Sequence, residues 1–76
     1  MNYCSPPLEF HRRLSTLTKR EREVMQHVLA GQKNKQIAHA MSIKEKTVKV
    51  HRARMMGKVG ALNIVHLVRM AQSVGL

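Results

Sequence analysis

Seventy-six residues suffice for one small domain. Fourteen Lys and Arg stand against four Asp and Glu, a formal net charge of +10, which favours a polyanion as partner. Only Tyr3 and Phe10 are aromatic and Trp is absent, which argues against single-strand binding on a stacking platform. One cysteine, Cys4, excludes an internal disulfide and a Cys-rich zinc site.

The N-terminus carries Glu9, His11, Arg12 and Arg13 where a signal peptide needs an apolar run. No apolar stretch approaches the roughly 20 residues needed to span a bilayer. The expectation is a cytoplasmic protein with no membrane partner. Residues 1–16, with Ser5-Pro6-Pro7, read as a linker or tail, with room for a short helical turn at Leu8–Leu14. The folded domain is expected over residues 17–76.

Thr18-Lys-Arg-Glu21 is a capping box that opens a first predicted helix, with Leu17 placed to staple onto its first turn. Val24, Met25, Val28 and Leu29 form its buried stripe, and Gly31 closes it from a left-handed conformation. Capping, not catalysis, accounts for Glu21. Asn34 is expected to cap a short second helix, Lys35–Met41, with Ile37, Ala38 and Met41 on one face. Ser42-Ile43-Lys44 makes the turn, and Ile43 should plug the space between helices.

The third predicted helix has two unlike faces. Val48, Met55 and Val59 fall within a narrow arc that should pack on the core. The opposite arc holds Lys46, Val50, Ala53 and Gly57, with Lys49 at its edge. Thr47, Arg54 and Lys58 lie along one border of this strip, Lys49 and Arg52 along the other. Eight cations face only Glu45 between residues 33 and 58, a net +7. A slim strip between basic rails suits a groove: rails meet phosphates and the strip meets base edges. A short helix, a tight turn and a basic helix with a slim outer face describe a helix-turn-helix.

Gly60-Ala61 breaks that helix, and Asn63 caps a fourth, Ile64 to about Ser73. Leu67, Met70, Ala71 and Val74 form its core stripe, while His66, Arg69 and Ser73 mark its wet face. Val65 and Val68 widen the apolar arc beyond what one small core uses, with Arg69 and Gln72 on the rim. A two-fold pairing of this helix with its copy would bury that excess, weakly off DNA.

Leu17-Thr-x-Arg20-Glu21-x-Glu23-Val24, Gly31-x-x-Asn34-Lys35-x-Ile37-Ala38 and Thr47-Val48-Lys49-Val50-His51-Arg52 together resemble the LuxR/GerE type of DNA-binding domain. His66-Leu-Val-Arg-Met-Ala71, with Arg13-Leu-Ser-Thr-Leu-Thr18 upstream, is most similar to the FixJ branch of the NarL/FixJ two-component response regulators. The resemblance covers residues 17 to about 72. It implies an all-α, four-helix fold of the tetrahelical winged-helix-like superfamily, with the third helix in the major groove and the fourth in a dimer. The function implied is that of a sequence-specific transcription regulator on double-stranded DNA, not an enzyme. It is either the output domain of a protein with a receiver domain or a stand-alone regulator, with RNA polymerase as a further partner.

By that similarity Lys49, Val50 and Ala53 are base-contacting, and the helical wheel adds Lys46. Asn34, Lys35, Thr47, Arg52, Arg54 and Lys58 are expected on phosphates, and Val65, Val68, Arg69 and Gln72 in the dimer interface. Two positions depart from the family pattern. Lys44 replaces the small capping residue the family often has before the third helix, and Ala53 is short where some relatives carry a long polar side chain. Ala53 suits a thymine methyl. The competing reading is a helical module that binds another regulator through its fourth helix, with DNA contact incidental. His11, His27, His39, His51 and His66 lack paired i, i+4 spacing within one helix, so no metal or other cofactor is expected.

Overall fold

The computed structural model describes residues 7–76; Cys4 and the Ser5-Pro6 pair lie outside the described residues. These fold as α1 (Pro7–Leu14), α2 (Lys19–Leu29), α3 (Asn34–Met41), α4 (Glu45–Val59) and α5 (Ile64–Ser73). The four expected helices are present as α2 to α5, and a fifth precedes them.

That helix lies where a short helical turn at Leu8–Leu14 was expected; what differs from a tail is its packing on the core. Proline is tolerated at the first helical position, where its missing N–H would have no partner anyway. Pro7 therefore starts α1 instead of blocking it. Glu9 and Arg13, four residues apart, pair at 2.8 Å. Phe10 is 0 % exposed, within the same core as Val48, Met55, Val59, Leu67 and Met70, and Leu14 packs against it. Among the described residues the packed core thus extends upstream of Leu17 to include α1.

The caps of α2 follow the sequence reading. The Glu21 N–H donates to Thr18 Oγ1 at 3.1 Å, and the Thr18 N–H donates to Glu21 Oε1 at 3.0 Å. Gly31 sits at φ +84°, and the Gln32 N–H reaches the His27 carbonyl at 3.1 Å, closing the helix in a Schellman motif. At α3 the cap moves by one residue. Lys33, not Asn34, is the N-cap. Its side chain has no acceptor, and only the reciprocal half of a capping box forms, from the Lys33 N–H to Gln36 Oε1 at 2.8 Å.

Ser42 turns the chain in the left-handed region, φ 54°, and the Ile43 N–H bonds the Ala38 carbonyl at 3.0 Å. This second Schellman closure turns Ile43 onto the core, where it is half-buried. Lys44 opens α4 with no side-chain cap, as its amino-acid type implies. Gly60, at φ +73°, ends α4; a Cβ there would overlap the Arg13 guanidinium, so α1 lies directly over this turn.

Helix α4 is the centre of the packing, with α1, α2 and α3 laid against it. Its Val48, Met55 and Val59 are all fully buried. Helix α5 contributes Leu67, Met70 and Ala71 to the core, and its backbone runs closest to α1.

Candidate nucleic-acid interface

The face of α4 away from the core is open. Lys46, Lys49, Val50, Ala53, Arg54 and Gly57 are exposed; Thr47, His51 and Arg52 are half-buried along its sides. Val50 is 42 % exposed, high for a valine at the middle of a helix. Burial does not account for that choice of residue, because Val48 already faces the core two positions away. The strip is narrow because Val50, Ala53 and Gly57 carry little side chain.

Helix α3 lines up beside it. Arg52 Nη1 donates to Asn34 Oδ1 at 2.9 Å, which ties the first residue of α3 to the middle of α4. This clip sets Asn34 and the exposed Lys35 along the same side of α4 as Arg52. A shallow groove beside the clip is lined by Val28, Gly31, Gln32, Lys33 and Ile64 together with Asn34 and Arg52. Among the described residues Lys35, Lys46, Lys49 and Arg54 have no carboxylate partner. Their charge is directed to solvent, where a polyanion would meet it.

Lys58 stands apart from the other expected phosphate ligands. Its Nζ donates to Glu21 Oε1 at 2.7 Å and approaches the Thr16 carbonyl at 3.4 Å. The Glu21 side chain is only 3 % exposed, that of Lys58 36 %. Lys58 thus joins α4 to the start of α2, and its ammonium is committed inside the protein. Glu21 does more than cap. Lys58 first, then the Thr18 N–H, hold its carboxyl below the usual glutamate range, against the opposing effect of burial. The pairing spans 37 positions, and no local spacing signals it.

On α5, Val65 is 62 % exposed, with Arg69 and Gln72 also exposed. Val68 is half-buried and belongs only in part to that surface. His66, expected on the wet face, is half-buried. Its Nδ1 accepts from the Leu62 N–H at 2.9 Å, and its Nε2 is buried without a partner. Asn63 Oδ1 accepts from the His66 N–H at 2.9 Å, as expected of the cap. Among the described residues no group of His, Cys, Asp and Glu is placed to hold a metal, and no helix is long and apolar enough to cross a membrane.

Known proteins share this arrangement. The chain is 51 % identical over 63 residues to the transcriptional regulatory protein FixJ of Rhizobium meliloti, covering 83 % of this chain and 31 % of that protein. It is 52 % identical over 50 residues to the C4-dicarboxylate transport transcriptional regulatory protein DctR of Rhodobacter capsulatus, covering 66 % and 25 %. Full-length FixJ from B. japonicum superposes with a TM-score of 0.83 at 38 % identity, over 91 % of this chain and 34 % of that one. The response regulator StyR superposes at 0.81 with 39 % identity, over 84 % and 32 %. The chain therefore spans about a third or less of the length of these relatives. The sequence pattern of the bacterial regulatory proteins of the luxR family matches residues 15–71, and the chain belongs to that family.

Proposed function

We propose that this domain is a sequence-specific, double-stranded DNA-binding output domain of a transcription regulator, with α4 in the major groove. The observation that carries the reading is the outward face of α4: a slim exposed strip of Val50, Ala53 and Gly57 flanked by Lys46, Lys49 and Arg54, which have no carboxylate partner among the described residues. Lys46, Lys49, Val50 and Ala53 meet base edges. Lys35, Thr47, Arg52 and Arg54 meet phosphates, with Asn34 holding Arg52 in place. Lys58 leaves this set because Glu21 engages it.

In a longer protein a receiver domain joins upstream, as the response-regulator relatives suggest, and RNA polymerase is a downstream partner. The protein works in the cytoplasm, without enzymatic activity or a cofactor. Two copies pair on DNA through Val65, Arg69 and Gln72, with Val68 at the inner edge.

Lys49→Ala tests the base-reading assignment. A single ammonium on a base edge lies toward the weaker end of direct readout, so the loss at the preferred site should be about 1–2 kcal/mol. Binding to random DNA should change far less. Equal loss on both DNAs by titration would move Lys49 to the phosphate class and undo the assignment.

Val65→Asp tests the pairing, and the exposure of Val65 makes it a cleaner site than Val68. The variant should fold normally by circular dichroism and bind a half-site as before. It should bind a two-half-site operator about tenfold more weakly, because local concentration no longer favours the second copy. Unchanged operator affinity would place the dimer surface elsewhere.

A further inference from the structure

Helix α4 holds one residue that the domain's own packing does not call for. Gly57 lies in its last turn, two positions before its final residue Val59, and is exposed. Glycine is a poor choice within a helix, because it gives up more chain freedom on folding than alanine and adds no side-chain contact. Three reasons commonly justify it, and none applies here. The left-handed glycines among the described residues are Gly31, Gly60 and Gly75, so Gly57 adopts a backbone that alanine shares. Gly60, not Gly57, forms the C-cap of α4. A Cβ on Gly57 would meet no atom of the described residues within 4 Å, whereas at Gly60 it would overlap Arg13. Nothing inside the domain needs the missing side chain.

The direction of Gly57 says what needs it. At about 100° per residue it stands half a turn from the mean direction of the buried Val48, Met55 and Val59, so it faces straight away from the core. Lys46, Val50 and Ala53 share that side. Lys46 to Gly57 spans about 16 Å, longer than the roughly 12 Å width of the major groove. A helix that reads base edges with its N-terminal residues therefore reaches the groove wall near Gly57. That wall is a sugar–phosphate strand. Arg54, three residues earlier and adjacent on the helix surface, is exposed and has no carboxylate partner among the described residues. Its charge draws a phosphate to this spot and repels a second copy of so basic a chain.

We infer that Gly57 is the point of closest approach between the domain and one strand of the duplex, a placement that rests on the DNA reading above. The sugar–phosphate backbone packs against the bare helix backbone there, with Arg54 beside it on a phosphate. The contact is to the strand and not to base edges, so it sets how deeply α4 sits on any sequence.

Gly57→Ala and Gly57→Leu test this through two readouts of opposite sign. Both new residues favour helix over glycine and enter open space, so each variant should melt about 2–4 °C above the wild type. Each should nevertheless bind a half-site duplex more weakly, Gly57→Ala about threefold and Gly57→Leu about thirtyfold, by equal factors on preferred and random sequence. The salt slope should stay the same, because no cation is removed. Wild-type affinity in both variants would overturn the close approach. Loss confined to the preferred sequence would overturn the strand contact, since Gly57 would then face a base edge. Loss on a two-half-site operator with the half-site unaffected would put a second copy, not DNA, at Gly57. A lower melting temperature for Gly57→Ala would reveal an internal need for the glycine and remove the premise. Should Gly57→Leu not fold, Gly57→Ala decides alone. Wild-type binding separates the two failures: if the unsubstituted domain bound no duplex, the DNA reading itself would fall, and this placement with it.

Discussion

Raising the salt from 50 to 200 mM should weaken DNA binding by a single domain roughly 40-fold. Each phosphate neutralised by a protein cation releases condensed counterions, and log K falls against log salt with a slope of about −0.9 per contact. Lys35 on α3 and Arg52 and Arg54 on α4 supply three such cations. A slope of about −3 per domain follows. Lys58 adds nothing to it, since its ammonium sits on Glu21. Fluorescence titration at several ionic strengths measures the slope directly. A slope near zero would mean that the rails do not meet phosphates, whatever the field around them.

Lys58→Met should destabilise the fold by about 2–3 kcal/mol and leave that slope unchanged. Removing one partner of a buried pair leaves the other charge without its counterpart, at about 3–5 kcal/mol when both are buried. The Lys58 side chain is 36 % exposed, so water screens part of the interaction and the estimate is reduced. Urea denaturation with and without the substitution gives the difference.

The same variant has a pH signature. Glu21 has its carboxyl lowered in the folded protein, chiefly by Lys58. A carboxyl lowered on folding contributes stability above its unfolded pKa, about 4.3, and loses it as the pH falls through its folded value. Wild-type stability should therefore decline on acidification below about pH 4.3. In Lys58→Met that decline should be shallower, because the first cause of the shift is gone. An unchanged acid limb together with a steep salt slope lost on substitution would return Lys58 to the phosphate contacts.

What could be read from the amino acids alone follows the range of the interactions. Thr18 and Glu21, three residues apart, announce their cap, and Asn63 announces its own. Val24, Met25, Val28, Ile37, Ala38 and Met41 recur at helical spacing and are all buried. The strip on α4 was legible because small residues among cations are unusual on a solvated helix face. Helix α1 was legible only as room for a short turn at Leu8–Leu14, because the seven residues after the two prolines offer little periodicity, and its packing on the core was not. The Phe10 and Leu14 pair, four apart, was the signal available.

Interactions between distant positions left no local trace. Asn34 and Arg52 are 18 apart, Glu21 and Lys58 37 apart, and a lysine with a buried partner looks the same in sequence as a lysine in water. His66 shows the limit at short range. A histidine on a polar stripe reads as wet, yet its ring turns back onto the Leu62 N–H.

The separation between the two faces of α4 bears on how such a protein changes over generations. Lys46, Lys49, Val50 and Ala53 are exposed, while the domain is held up by Val48, Met55 and Val59. Surface substitutions away from core, caps and polar networks usually alter stability by no more than about 0.5 kcal/mol. On the DNA reading proposed above, target preference is therefore free to drift one residue at a time, through intermediates that all fold. A duplicated copy could acquire a new set of promoters while its scaffold stayed as it was.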